Sequence, residues 1–290
     1  MLSAFKAQAI HELKPKDKSK VESLLAYGDR LLVGLNTGAL RIYRVNEERT
    51  PPEYDGATHE NGESGQPIPA KVKAVELLRE EEKFSKRPVQ QLAIVKEANL
   101  LVSLSDGYIS LHDLQTYQLV ERLEQTRNAT CFAVTSNVIK DPDTNIPSLV
   151  SRLAVGVKRR LMYWTWQDME LSSDVEDTGL EAAVKSLTWL TATKIVVGMD
   201  AGFSVLDIES KEVANVNKPP QGELEGVRFA AVSSSGMGYM GMGSWVPKPM
   251  ATRLSDDEIL LAKDVNTLFA GADGRPLEKR QIPWSLAPKL

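Results

Sequence analysis

An all-β fold of the β-propeller type is what this sequence predicts, on three observations. A unit made of an apolar run, a tight turn and a returning apolar run recurs along the chain. The runs are continuous rather than alternating, such as Leu31-Leu32-Val33 and Ile195-Val196-Val197, as expected of strands covered on both faces by neighbouring sheets. Helical periodicity is weak throughout, which argues against a solenoid of helix pairs.

The clearest unit is Leu100 to Glu124 (LLVSLSDGYISLHDLQTYQLVERLE). Leu100 to Leu104 is apolar, Ser105-Asp106-Gly107 suits a tight hairpin, and Tyr108 to Leu114 returns with β-branched, aromatic and leucine side chains. Gln118 to Leu123 and, upstream, Val89 to Val95 offer two more extended pieces, giving four strands in about one blade's length. Leu31 to Val45 aligns with Leu100 to Leu114 without a gap and sets Gly38 on Gly107, while Lys194 to Ile208 repeats the run, an Asp-x-Gly turn and the return. Arg152 to Trp166 repeats it again with Lys158-Arg159-Arg160 in place of the turn glycine, and a worn fifth copy is read over Asp257 to Ala262 and Thr267 to Phe269. Units are therefore expected near Val21, Val89, Thr130, Val184 and Val227.

The segments between units are polar. Ala4 to Lys20 spaces lysines with Pro15 and reads as a solvated leader, with a basic contact for acidic lipid or protein as the alternative. Asn46 to Ala70 has almost nothing to bury and is expected to be a mobile insertion that a protease would cut first. Lys71 to Lys83 suits either a short helix or the last strand of the first unit; Lys140 to Pro147 reads as a rim loop and Ser172 to Thr178 as an acidic connector. One domain is expected over residues 1–290, and about five units fit within it.

Composition narrows the function. A chain of 290 residues with 42% hydrophobic and 26% charged residues is that of an ordinary soluble protein, and no stretch approaches the ~20 apolar residues of a membrane span. The polar segment after Met1-Leu2-Ser3-Ala4-Phe5 does not fit a secretory signal, and a single cysteine, Cys131, suits a reducing compartment. A formal charge of −4 argues against a strong overall attraction to nucleic acid or to an anionic membrane.

Chemical motifs are few. Gly236 to Gly241 (GMGYMG) matches G-x-G-x-x-G, but no strand-helix context surrounds it, so an irregular blade segment is the better reading. His11, His59 and His112 have no metal-site spacing, Cys131 sits in an apolar run as a buried thiol, and Asp174, Glu176 and Asp177 read as a solvated loop rather than an acid-base pair. No catalytic residue, cofactor or metal is expected. The surface candidate is Lys158-Arg159-Arg160, three cations in a hairpin turn followed by Met162, Tyr163, Trp164 and Trp166. Charge beside aromatic anchors is the composition of a binding hot spot, while the competing reading packs the tryptophans between blades.

Three stretches in order, Phe84 to Leu92 (FSKRPVQQL), Leu100 to Leu114 (LLVSLSDGYISLHDL) and Ala154 to Trp166 (AVGVKRRLMYWTW), resemble the citron-homology domain of the vacuolar sorting subunit thirty-nine (Vam-six-like) family of the HOPS tethering complex, above all its fungal members. The Gly-His and Trp-Asp signatures of WD-repeat propellers are missing. The resemblance implies a seven-bladed propeller of citron-homology type at the amino end of a long tether subunit whose α-solenoid lies outside this chain, so with about five units here the propeller is expected to be incomplete and to expose apolar blade surface. It further implies action in membrane fusion and vesicle transport, peripherally on the cytosolic face of late endosomes and the vacuole or lysosome. Implied partners are a late-endosomal Rab GTPase and, through regions absent here, other HOPS subunits. Guanine-nucleotide exchange has been attributed to the family, and it is the alternative to a non-catalytic docking role. The residues themselves offer no catalytic constellation.

Overall fold

The recurring apolar runs become the inner strands of antiparallel sheets. The computed structural model describes residues 18–46, 74–140, 145–167, 170–172, 174–200, 202–215, 248–255, 257–263, 266–277 and 279. The insertion expected over 46–70, nearly all of the leader, the glycine match at 236–241 and the unit start at Val227 therefore lie outside the described residues, Asn46 and the last lysines of the leader excepted. The chain divides into two compact units, Met1–Leu92 and Ala93–Leu290.

The first unit holds one sheet of β1 (Val21–Tyr27), β2 (Arg30–Leu35), β3 (Leu40–Val45) and β4 (Val75–Glu81), paired in chain order. Of the two readings open for Lys71 to Lys83, the strand is the one adopted. Val33, Leu35, Ala39 and Tyr43 form its buried cluster with Leu31 and Val75 packed against them. The segment after β4 crosses the β2–β3 turn: Ser85 N–H donates to Gly38 O (2.8 Å), Val89 N–H to Leu35 O (3.1 Å), and Ser23 Oγ to Val89 O (2.7 Å).

In the second unit, β5 (Gln91–Val95), which starts at the unit boundary, β6 (Leu100–Ser105), β7 (Tyr108–Asp113) and β8 (Leu119–Leu123) make the next sheet, again in chain order. Asp106 (φ 55°) and Gly107 (φ 71°) form its two-residue hairpin turn, the paired left-handed residues that a type I′ turn requires. A single 3-10 turn at Glu124–Thr126 leads into β9 (Ala129–Lys140), β10 (Pro147–Val157), β11 (Arg160–Gln167), β12 (Glu170–Leu171) and β13 (Glu176–Gly179). Here β12 and β13 both pair with β11, so the acidic connector expected at Ser172 to Thr178 is in part an outer strand. Then come β14 (Val184–Trp189), β15 (Lys194–Met199), β16 (Gly202–Asp207) and β17 (Val213–Asn215), and last a three-stranded sheet of β18 (Met250–Arg253), β19 (Glu258–Lys263) and β20 (Asn266–Gly271).

Three apolar layers run between these four sheets, and they explain the continuous runs. Along β10, Leu153, Val155 and Val157 face a cluster containing Val102, Leu104 and Ile109 of the preceding sheet, while Ala154 faces one containing Val184, Ile195 and Val197 of the following sheet. β11 divides likewise: Met162, Trp164 and Trp166 point one way, Leu161 and Tyr163 the other. Phe203 and Val205 meet Ile259, Leu261 and Leu268 in the third layer. At roughly 1.5–3 kcal/mol for each fully buried Leu, Val or Phe, such layers dominate the stability of stacked blades.

Small residues at one repeat position set how closely a sheet approaches the segment that follows it. A Cβ on Gly156 would lie 2.6 Å from Val184 Cγ1, and one on Gly198 would lie 3.0 Å from Pro249 Cγ. Hydroxyls stitch the same junctions: Thr130 Oγ1 donates to Val184 O (2.8 Å) and Thr188 Oγ1 to Ala251 O (2.9 Å).

Candidate partner-binding surface

The basic turn is built from the backbone outward. Val157 pairs with Arg160, so the turn proper is Lys158-Arg159 and Arg160 opens β11. Its two-residue turn has the same length as Asp106-Gly107, and without a glycine the left-handed conformation falls on Lys158 (φ 54°). Its carbonyls are held from below, with Val184 N–H donating to Lys158 O and Leu180 N–H to Arg159 O, both 2.8 Å. All three cationic side chains are exposed. Arg160 Nη1 lies 3.2 Å from Asp177 Oδ2 across the β11–β13 pair, whereas Lys158 and Arg159 have no carboxylate partner among the described residues.

A neighbour joins them that repeat reading missed. The connector between β8 and β9 brings Gln125, Arg127 and Asn128 to the other side of a concave volume of about 550 Å³, whose near wall is Val157 to Arg160. Asn128 is left-handed (φ 71°), and Ala129 N–H bonds to Gly107 O (2.9 Å), fixing the connector against the preceding hairpin turn. The only signal in the sequence was a lone arginine in a polar stretch, so Arg127 was not legible as a partner of a turn some thirty residues away.

The aromatic part of the expected hot spot is absent from the surface. Tyr163, Trp164 and Trp166 are each under 5% exposed, within the layers described above. The second sequence reading, tryptophans packed between blades, is the correct one, and the exposed turn presents charge without aromatic side chains.

The other candidates are structural. Cys131 is buried, and burial pushes its thiol up to about 11, away from nucleophilic character. His112 lies beneath the surface with Nε2 3.0 Å from Ser103 Oγ, and burial lowers its pKa to about 4. Ser103 is itself buried, so this Ser–His contact has no access for a substrate. Glu176 accepts a 2.6 Å bond from Tyr163 Oη and lies 3.5 Å from Lys211, and Asp177 pairs with Arg160. Burial first and the Glu176 carboxylate second raise the Tyr163 pKa. Among the described residues, no cluster of three or more His, Cys, Asp or Glu is arranged to hold a metal, and no helix is long and apolar enough to cross a membrane.

Comparison with known proteins places this architecture. A family model described as the CNH domain matches residues 27–289. The human Vam6/Vps39-like protein is 25% identical over 288 residues, covering 99% of this chain and 28% of its own length. Vacuolar morphogenesis protein 6 of Schizosaccharomyces pombe is 19% identical, covering 98% of this chain and 27% of its own length. Vacuolar sorting protein 39 of Arabidopsis thaliana is 21% identical over 93% of this chain and 22% of its own. The chain thus spans less than a third of the relatives it matches. Among solved structures, the AfRom2 CNH domain aligns with a TM-score of 0.51 at 16% identity, over 93% of this chain and 74% of that one, which is a likeness of fold.

Proposed function

The chain belongs to the CNH domain family, and from that premise we propose that it is the docking domain of a HOPS-type tethering subunit in vacuolar sorting. The observation that carries this reading is the near-complete cover of the chain by relatives named for vacuolar sorting or morphogenesis, in organisms as distant as human, fission yeast and Arabidopsis. One family match that runs across the boundary between the two compact units supports treating residues 1–290 as one domain.

In this reading the domain is non-catalytic and works in late endosome and vacuole or lysosome fusion, held peripherally at the cytosolic face through its partners. It docks a late-endosomal Rab GTPase, and other HOPS subunits bind elsewhere in the longer protein. Lys158, Arg159 and Arg160 are the proposed contact. Because the aromatic side chains are buried, charge steers that contact, which makes it quickly formed, transient and weakened by salt.

The test is capture of the GTPase, loaded with a GTP analogue or with GDP, by this chain and by the triple variant Lys158→Glu, Arg159→Glu, Arg160→Glu. Nucleotide-selective capture that falls at raised salt and in the folded variant supports the reading. Capture by the folded variant equal to wild type removes the turn from the interface. Catalytic release of nucleotide from the GTPase by small amounts of the chain would favour exchange activity over docking.

A further inference from the structure

From the basic groove between the β8–β9 connector and the β10–β11 turn, we infer that the domain carries an anion site for a compact group bearing two or more phosphates, such as a phosphorylated polyol. This goes beyond the docking reading and does not depend on it, although the two share three side chains.

Shape is the first support. A protein surface meets a hairpin turn from outside, whereas here four cations, Arg127, Lys158, Arg159 and Arg160, border one concave volume of about 550 Å³. That is within the ordinary size range of small-ligand sites, roughly 300–1,000 Å³. Charge is the second. The lining holds no carboxylate, Val157 is its one apolar residue, and Gln125 and Asn128 add amide donors. Arg127, Lys158 and Arg159 have no ion-pair partner among the described residues, and Arg160 pairs with Asp177. Four like charges around one volume repel until a polyanion joins them. Arginine forks match phosphate oxygens two bonds at a time, and lysine adds a point charge.

Rigidity is the third support. The walls are a two-residue hairpin turn and a short connector, each with a left-handed residue, Lys158 and Asn128, and each tied by backbone hydrogen bonds: Lys158 O and Arg159 O on one wall, Ala129 N–H on the other. The cations are thus presented from fixed backbone, which lowers the ordering cost of binding.

The experiment titrates this chain with inositol trisphosphate and, in parallel, with phosphatidylcholine vesicles containing phosphatidylinositol bisphosphate or a charge-matched amount of phosphatidylserine. No GTPase is present, so failure here leaves the docking reading standing, and failure of GTPase capture leaves this one standing. The expected result is saturable binding of the phosphorylated probe, weakened about tenfold for each groove cation removed. Lys158→Asn keeps a residue that accepts the left-handed turn, Arg127→Gln tests the opposite wall without touching the turn, and Lys140→Gln on the exposed end of β9 should bind as wild type. Comparable affinity for the free and vesicle-borne group identifies a soluble ligand, and much tighter vesicle binding identifies a lipid headgroup; both support the site. No saturable binding of either probe would overturn the inference. So would equal weakening by Lys140→Gln, which would mean diffuse surface charge, or displacement by polyglutamate as effective as by inositol trisphosphate, which would assign the groove to an acidic protein segment.

Discussion

The sheets β5–β8 and β9–β13 are neighbouring repeats, and they differ where a repeat is free to differ. Their inner strand pairs share one apolar layer, with Val102, Leu104 and Ile109 of one meeting Leu153, Val155 and Trp164 of the other. Their turns diverge, Asp106-Gly107 in the first and Lys158-Arg159 in the second. Their lengths diverge too: β6 and β7 have 6 residues each, whereas β9 has 12 and β10 has 11. The far end of the extra length carries no core, which stops at Val150, 8% exposed. Val138 and Leu149 face each other across that hairpin and are 69% and 44% exposed. The layer is common because stacking demands it, and individuality collects at turns and strand ends, where backbone pairing is satisfied whatever the side chain.

The strongest way to break this comparison is to cut the shared layer and the overhang separately. Trp164→Ala, at 3% exposure, should cost about 3–5 kcal/mol, while Val138→Ala on the overhang should stay within about 0.5 kcal/mol. Urea unfolding of both variants measures it, and equal losses would mean that the extended hairpin belongs to the cooperative core.

Next in size is a pH effect confined to the first of the two sheets. Burial lowers the His112 pKa from 6.5 to about 4. Between those values the unfolded chain binds a proton that the folded chain refuses, so stability falls as pH drops through that window and is unaffected above it. The full loss is on the order of 3 kcal/mol by the linkage relation. His112→Gln should flatten the dependence of the urea midpoint between neutral pH and about pH 4, and a variant as steep as wild type would place the titrating group elsewhere.

A smaller effect separates the two sheets near the ends of their inner strands, at Gly156 in β10 and Ser103 in β6. Gly156→Ala brings a methyl against Val184 and Cys131 Sγ, the latter 3.1 Å away, and should cost about 1–3 kcal/mol by overpacking. Ser103→Ala removes only the hydroxyl bonded to His112 and should cost about 1 kcal/mol. The reverse order in thermal unfolding would show that the β10–β14 junction has room to relax.

Much of this fold is readable from the chain because its signals are local. The run and turn of Leu100 to Leu114 fix a strand, a type I′ hairpin and a return strand within fifteen residues of sequence, and the structure repeats that grammar at β2–β3, β10–β11 and β15–β16. A further local device went unread. Asp113 Oδ1 accepts from Gln115 N–H and Thr116 N–H, and Asp207 Oδ1 accepts from Glu209 N–H and Ser210 N–H, so DLQT and DIES are the same capped turn into the fourth strand. The site is less legible. Lys158 to Arg160 stands out as a run of charge, but Arg127 reaches it only through sheet stacking, and the burial of Trp164 depends on a neighbouring sheet that local sequence does not specify.

The smallest expected effect sharpens the difference between the two turns most. Arg160 and Asp177 pair across β11 and β13 with both side chains about half exposed, 54% and 52%. Solvent and salt screen such a pair, so a double-mutant cycle of Arg160→Gln and Asp177→Asn should give a coupling of only about 0–1 kcal/mol, shrinking at high salt. The same substitution acts differently on the groove. Asp177→Asn removes the carboxylate paired with Arg160 and frees that side chain for a bound phosphate, so inositol trisphosphate should bind several-fold more tightly while the thermal midpoint hardly moves. A large coupling in unfolding would make the pair a structural clip between the third and fourth strands of this sheet, with Arg160 committed to the fold. Tighter anion binding with little coupling would give Arg160 to the site.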